Sequence, residues 1–177
     1  MVATETHSNS SLEDKSKKIW EWLADVPDPE IPAVSVVDLG IVREVKWNNE
    51  HLTIEITPTY SGCPATSVIA LDIETTLLKK GVENVSVKSI LSPAWTTAWI
   101  TPEGRKKLKA YGIAPPAEDI SSCTGLLKMN ANAPANISCP RCSSLQTERV
   151  SQFGSTPCKA SYKCRSCLEP FDYFKSF

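Results

Sequence analysis

The sequence predicts an α+β domain followed by a small module that its own cysteines hold together. Three observations carry this. Short β-branched runs at residues 41–47, 52–57 and 82–91 read as strands. Apolar residues recur at helical spacing over residues 64–80. Two Cys-x-x-Cys units, Cys139-Pro140-Arg141-Cys142 and Cys164-Arg165-Ser166-Cys167, stand close together near the C-terminus.

A chain of 177 residues suffices for one ordinary domain and a small appendage. Its 41% hydrophobic and 22% charged residues are those of a globular rather than a disordered protein. A net charge of −1 supplies no basic field for nucleic acid or an anionic membrane, so neither partner is expected. No apolar run approaches the roughly 18 residues of a membrane span.

The N-terminus, residues 1–14, is polar and lacks the apolar core of a signal peptide, so residues 1–11 read as a disordered tail. Ser11 then caps a helix to about Ala24, with Leu12, Ile19, Trp20 and Leu23 as its apolar stripe. Val26-Pro27-Asp28-Pro29-Glu30-Ile31-Pro32 breaks that helix, because three prolines in six residues force an extended loop. The strands at 41–47 and 52–57 are joined by a polar turn. The helix at 64–80 is expected to turn Val68, Leu71, Leu77 and Leu78 inward and to stop at Gly81. In the strand at 82–91, Val85 and Val87 alternate with polar residues. A loop of aromatic and small residues, 92–99, leads to a helix that starts at Thr101-Pro102-Glu103, with proline at the first helical position, and ends at Gly112. Residues 113–136, rich in Ala, Pro, Ser and Asn and without periodicity, read as a linker. The expected layout is therefore a tail (1–11), an α+β domain (12–112), a linker (113–136) and a cysteine-rich module (137–177).

Seven cysteines and no signal peptide point to a reducing cytosol, where clustered thiols bind metal or do redox chemistry. Each Cys-x-x-Cys knuckle aims two thiolates at one spot, and two knuckles complete a tetrahedron around zinc. The 21 residues between them slightly exceed the usual spacing, which a hairpin with strands at 147–153 and 160–163 absorbs. A module of about 40 residues needs such a staple. Two disulfides or free thiols are the competing readings of the four cysteines, and iron or an iron–sulfur cluster competes with zinc. Cys158, between the knuckles, is surplus to a four-ligand site; it reads as a small buried residue or as a transient ligand for iron or a cluster.

A separate thiol, Cys63, joins a strand to a helix in Thr57-Pro58-Thr59-Tyr60-Ser61-Gly62-Cys63-Pro64. Pro64 suits the first helical position, which puts Cys63 at the N-cap, where helix amides favour a thiolate. Asp28, Glu30 and Asp38 lie on loops beside the same sheet. If they reach Cys63 the set suits iron, and otherwise they cap turns. The two histidines, His7 and His51, lie outside any catalytic setting, so neither a hydrolase triad nor a carboxylate–histidine di-iron set is expected.

Asp28-Pro29-Glu30-Ile31-Pro32, Asp38-Leu39-Gly40 and residues 57–64 together resemble the SufT-like iron–sulfur assembly domain. Adding Pro93-Ala94-Trp95-Thr96-Thr97, Tyr111-Gly112-Ile113, the two knuckles, Phe153-Gly154-Ser155-Thr156 and Glu169-Pro170-Phe171-Asp172-Tyr173-Phe174-Lys175 narrows this. The whole is similar to the D-subunit family of phenylacetyl-CoA epoxidase (phenylacetate-CoA oxygenase) systems, PaaD, over residues 19–175. The resemblance implies a small mixed sheet with flanking helices plus a four-cysteine zinc ribbon. It also implies a cytoplasmic accessory protein, not an enzyme, in phenylacetate catabolism. Its implied partners are the other epoxidase subunits, above all the ferredoxin-type reductase whose iron–sulfur centre it would mature, and it allows a homodimer. Cys63 carries over as the reactive thiol, assisted by Asp28, Glu30 and Asp38, and Cys158 as an auxiliary cluster ligand. Cys139, Cys142, Cys164 and Cys167 carry over as structural zinc ligands. The sequence departs from many relatives at Ser176, where they have a cysteine, so that position cannot supply a thiolate. Cys123 falls in the linker and receives no role. The competing reading is a purely structural oxygenase component whose zinc only folds the tail. A dithiol oxidoreductase fits less well, since two pairs at ribbon spacing suit metal.

Overall fold

The structure, a computed structural model, describes residues 7–116 and 137–175, with side chains from Asp14 onward. Cys123, Ser176, residues 1–6 of the expected tail and residues 117–136 of the expected linker lie outside the described residues. The chain divides between Trp95 and Thr96 into two compact units. The helix expected to close the first domain therefore groups with the cysteine module, and so do the first residues of the expected linker.

The first unit opens with α1 (His7–Leu23). It begins before Ser11, so residues 7–11 are helical rather than tail, and Ser11 is not its cap. No proline or glycine interrupts that polar stretch, so nothing stops the helix from extending through it. Ile19 and Leu23 are buried, as the stripe requires. Strands β1 (Val42–Asn48) and β2 (His51–Ile56) form an antiparallel hairpin whose turn places Asn49 at φ 55°, a left-handed conformation that asparagine tolerates. Helix α2 (Ala65–Lys79) then crosses over to β3 (Val85–Ser89), which lies parallel to β2. Among the described residues this gives a mixed sheet of order β1-β2-β3, with Leu52, Ile54 and Ile56 of the central strand fully buried.

Of the residues expected to turn inward on α2, Leu77 does and Val68, Leu71 and Leu78 do not. Ala65, Ile69, Ile73 and Leu77 are buried, whereas Val68, Leu71 and Leu78 are 45%, 61% and 52% exposed. The helix carries two apolar rows, and the row at i, i+4, i+8, i+12 is the one that meets the sheet. Ile73→Ala should therefore cost roughly 2–5 kcal/mol by leaving a core cavity, while Leu71→Ala should change stability by less than about 0.5 kcal/mol. Denaturant midpoints of the two variants check this; equal losses would overturn the assignment of the faces.

The second unit starts with a 3₁₀ turn at Thr97–Trp99 and α3 (Pro102–Tyr111). As expected, proline opens the helix. The Thr101 hydroxyl oxygen accepts from the Gly104 amide at 2.9 Å, and Gly112 closes the helix at φ 94°. The Arg105 guanidinium donates to the carbonyls of Thr97 and Pro116, both at 2.7 Å, and so ties the turn to the chain leaving α3. Next come β4 (Ile113–Ala114), β5 (Thr147–Ser151), β6 (Lys159–Cys164) and β7 (Pro170–Phe174). The sheet order is β4-β7-β6-β5, antiparallel except for the parallel β4–β7 pair. The hairpin β5–β6 matches the expected strands. Gly154 sits tightly in its turn, where a Cβ would stand 3.2 Å from both Asp172 Oδ1 and Lys159 Cβ and those side chains would have to shift by a few tenths of an ångström. Ala114, Ile137, Ala160, Phe171 and Tyr173 form the core of this sheet together with Cys139 and Cys164. Tyr162 stacks on Phe171 with ring centroids 5.8 Å apart.

Candidate functional site

The loop ends carrying the two knuckles are alike in backbone. Cys139 N donates to Ser144 O at 2.9 Å, and Cys164 N to Glu169 O at 2.9 Å. The residue after each knuckle, Ser143 (φ 60°) and Leu168 (φ 65°), is left-handed, which turns the chain back beneath the sulfurs. The Arg141 guanidinium pairs with Glu169 across the knuckles. As a result the Sγ atoms of Cys139, Cys142, Cys164 and Cys167 all lie within 4.8 Å of one another. Cys139 and Cys164 are fully buried, Cys167 is half-buried and Cys142 is exposed.

Four thiolates about 2.3 Å from a central zinc sit about 3.8 Å apart along each tetrahedral edge. Cys139 and Cys167 are 3.7 Å apart, and Cys142 and Cys164 are 3.6 Å apart, so the four sulfurs fit one metal ion. The spacing is far too long for disulfides and leaves room for one ion only, not for a cluster whose several irons each take a thiolate. The thiols also compete electrostatically. The Cys167 amide, donating to Cys164 Sγ at 3.5 Å, pulls the Cys164 thiol down to about 6 against the upward push of burial. Cys167 is pushed up to about 12: the Glu169 amide favours its thiolate, but burial and the sulfurs of Cys142, Cys164 and Cys139 outweigh that. Sulfurs this close ionise together only around a cation. Cys158 stands apart from this group, buried in the β5–β6 turn with its sulfur 3.0 Å from Thr156 Oγ1.

In the first unit, Cys63 lies at the head of α2, but one residue earlier than expected. Pro64 occupies the N-cap and Ala65 is the first helical residue. Cys63 N donates to Tyr60 O at 3.1 Å, and its carbonyl accepts from the Thr66 amide and hydroxyl at 3.2 and 2.8 Å. The backbone is thus fixed while the thiol stays half-exposed.

Asp28, Glu30 and Asp38 do not form with Cys63 a group of three or more converging ligands among the described residues. Among the described residues, the four knuckle cysteines are the group of three or more metal-ligating side chains that converges. Asp28 Oδ1 instead accepts from the amides of Glu30 and Ile31 at 2.9 and 2.8 Å. Asp38 Oδ2 accepts from Ser35 N at 2.9 Å, while Asp38 N donates to Ser35 Oγ at 3.0 Å. Both carboxylates are buried turn caps, and Glu30 is exposed. Trp95 Nε1 donates to Leu39 O at 2.9 Å and so holds the turn after Asp38 in place.

Sequence reasoning missed Thr57. It is buried to 1% exposure just ahead of the Cys63 loop, and its hydroxyl has no hydrogen-bond partner among the described residues. A threonine at a strand end gives no sign of this, because the deficit comes from packing.

The fold and site define a two-unit protein, an iron–sulfur-assembly-type domain followed by a four-cysteine metal ribbon. The family model described as an iron–sulfur cluster assembly protein matches residues 16–88, and the PaaD zinc beta ribbon domain matches residues 127–175. The putative 1,2-phenylacetyl-CoA epoxidase D-subunit of Escherichia coli (strain K12) is 49% identical over 158 residues, covering 89% of this chain and 91% of that one. The chain belongs to this D-subunit family of phenylacetyl-CoA epoxidase systems, PaaD. A domain of unknown function, DUF59, from Bacillus anthracis is similar in structure, with a TM-score of 0.54 and 28% identity over 57% of this chain and 97% of that one. The assembly-type domain fits an accessory protein, and the ribbon fits a metal-binding module. Among the described residues no helix is long and apolar enough to cross a membrane.

Proposed function

We propose that this chain is a cytoplasmic accessory component of a phenylacetyl-CoA epoxidase system that delivers an iron–sulfur centre to a partner, the ferredoxin-type reductase, through Cys63. The observation that carries this is a half-exposed thiol at the head of α2, outside the four-cysteine group, in the unit that matches the iron–sulfur assembly family. The cluster is cargo. Cys63 would hold it from a fixed backbone, and exposure of the thiol would let a partner's cysteines displace it. Asp28 and Asp38 shape the neighbouring turns, so their part is positioning rather than ligation. Cys139, Cys142, Cys164 and Cys167 would hold zinc as a structural ion, which supplies a closed tetrahedral staple with no open position for chemistry. Cys158, buried and bonded within its turn, supports only the structural reading of that residue.

Anaerobic reconstitution with iron and sulfide tests the reading. Wild type should gain iron and sulfide in addition to its zinc, and Cys63→Ala should keep the zinc but gain at most about one tenth of the iron. A chain that takes up no iron at all would instead support the purely structural component.

A further inference from the structure

The four sulfurs are not equivalent. Each knuckle has a fully buried first cysteine and a more accessible second one, and of the four only Cys142 is exposed. A sulfur of the opposite knuckle lies close to it. Cys142 Sγ lies 3.6 Å from Cys164 Sγ, and Cys139 Sγ 3.7 Å from Cys167 Sγ, both between knuckles. An oxidant arriving from solvent thus meets Cys142 first, and the Cys164 sulfur of the opposite knuckle stands within reach to react next.

We propose that Cys142 is a peroxide-sensitive site, and that its oxidation exchanges the metal staple for a Cys142–Cys164 disulfide across the same two knuckles. This rests on the zinc assignment for these cysteines. In the first step the Cys142 thiolate attacks one oxygen of hydrogen peroxide. An S–O bond forms, the O–O bond breaks and hydroxide leaves, so sulfur loses two electrons and peroxide gains them. In the second step the Cys164 thiolate attacks Cys142 Sγ; the S–S bond forms, the S–O bond breaks and a second hydroxide leaves. Two protons from the buffer acid convert the hydroxides to water. Cys139 and Cys167 remain as a two-sulfur site, too few to retain the ion in competition with a chelator.

The bond joins the two segments that the metal joined, between residues 22 apart in sequence, so β5–β6 stays closed and reduction restores the site. A within-knuckle disulfide would leave the two knuckles unconnected while oxidised. Cys158 is a poor competitor for peroxide, because it is buried against Thr156 Oγ1.

The test uses the full zinc-loaded chain. Zinc content is measured first, then hydrogen peroxide is added with a chromogenic zinc indicator present, and disulfides are mapped by peptide mass spectrometry through the time course. The expected result is release of one zinc per chain in step with a Cys142–Cys164 disulfide, retained strand circular dichroism, and rebinding of zinc after dithiothreitol. Cys142→Asp, which keeps an anionic ligand that peroxide does not oxidise, should release zinc at least tenfold more slowly; if that variant holds no zinc, the wild-type map alone decides. A first disulfide within either knuckle, zinc release without any disulfide, or collapse of the strands on oxidation overturns the proposal. A chain isolated without zinc overturns the zinc assignment and this inference together, whereas a zinc-loaded chain that keeps its ion under peroxide overturns this inference alone.

Discussion

Stripping the metal from the intact chain should unfold the β5–β6–β7 ribbon and leave the sheet of the first unit folded. The core of the ribbon sheet is small, and two of its members, Cys139 and Cys164, are themselves metal ligands. Burial on that scale supplies on the order of 3–5 kcal/mol at most, whereas a structural zinc in a comparable module contributes on the order of 10–16 kcal/mol. Without the ion, four crowded thiols remain, two of them fully buried, along with two left-handed non-glycine residues whose conformation only the knuckles require. Hydrogen exchange read by mass spectrometry separates the units. Peptides spanning β6 and β7 should lose protection on chelation, while those spanning β2 and α2 keep theirs. Protection of β6 that survives complete metal removal would refute this. Cys164→Ser should reproduce the chelated pattern.

Cys63→Ala should leave the fold intact and abolish delivery of the cluster. The hydrogen bonds that shape its loop are made by the backbone, to Tyr60 and from Thr66, and alanine retains them. Loss of a half-exposed sulfur should cost less than about 1 kcal/mol, a fall of no more than roughly 2–4 °C in Tm for a chain of this size. The effect on loading should be near total, because no group of three or more metal-ligating side chains includes Cys63 among the described residues. Reductase produced in cells carrying only Cys63→Ala should show cluster absorbance close to that of cells lacking this protein. Full absorbance would exclude Cys63 as the delivery thiol. A larger drop in Tm with partial absorbance would mark it as structural.

What could be read from the amino acids was what local chemistry decides. Thr101 and Gly112 bound α3 because a cap and a left-handed stop act within one turn. The knuckles were legible because Cys-x-x-Cys geometry is a property of four consecutive residues. The hairpin β5–β6 follows from them. Long-range choices were not legible. Helix α2 offers two apolar rows, and only the sheet beneath it selects Ile69, Ile73 and Leu77 over Leu71 and Leu78. Asp28 and Asp38 read from the sequence as iron ligands or as turn caps, and one oxygen of each accepts turn amides, of Glu30 and Ile31 and of Ser35, which depend on the fold of the loop. Strand β7 did leave a trace, since Phe171 and Tyr173 alternate around Asp172. Strand β4 left none, because two residues are too few to carry a period.

That two-residue strand sets an order on how the chain is made. Ile113 pairs with Asp172, 59 residues later (172 − 113). At roughly 5–20 residues per second of synthesis, Ile113 is made about 3–12 seconds before its partner. The last ligand, Cys167, also appears within that window, so the first unit can be complete while the second still lacks both the inner strand β7 and its fourth sulfur. Closure of the parallel pair and capture of the ion are thus late, coincident events, and a chain shortened by even its last ten residues would lose β7, and with it the seat of β4.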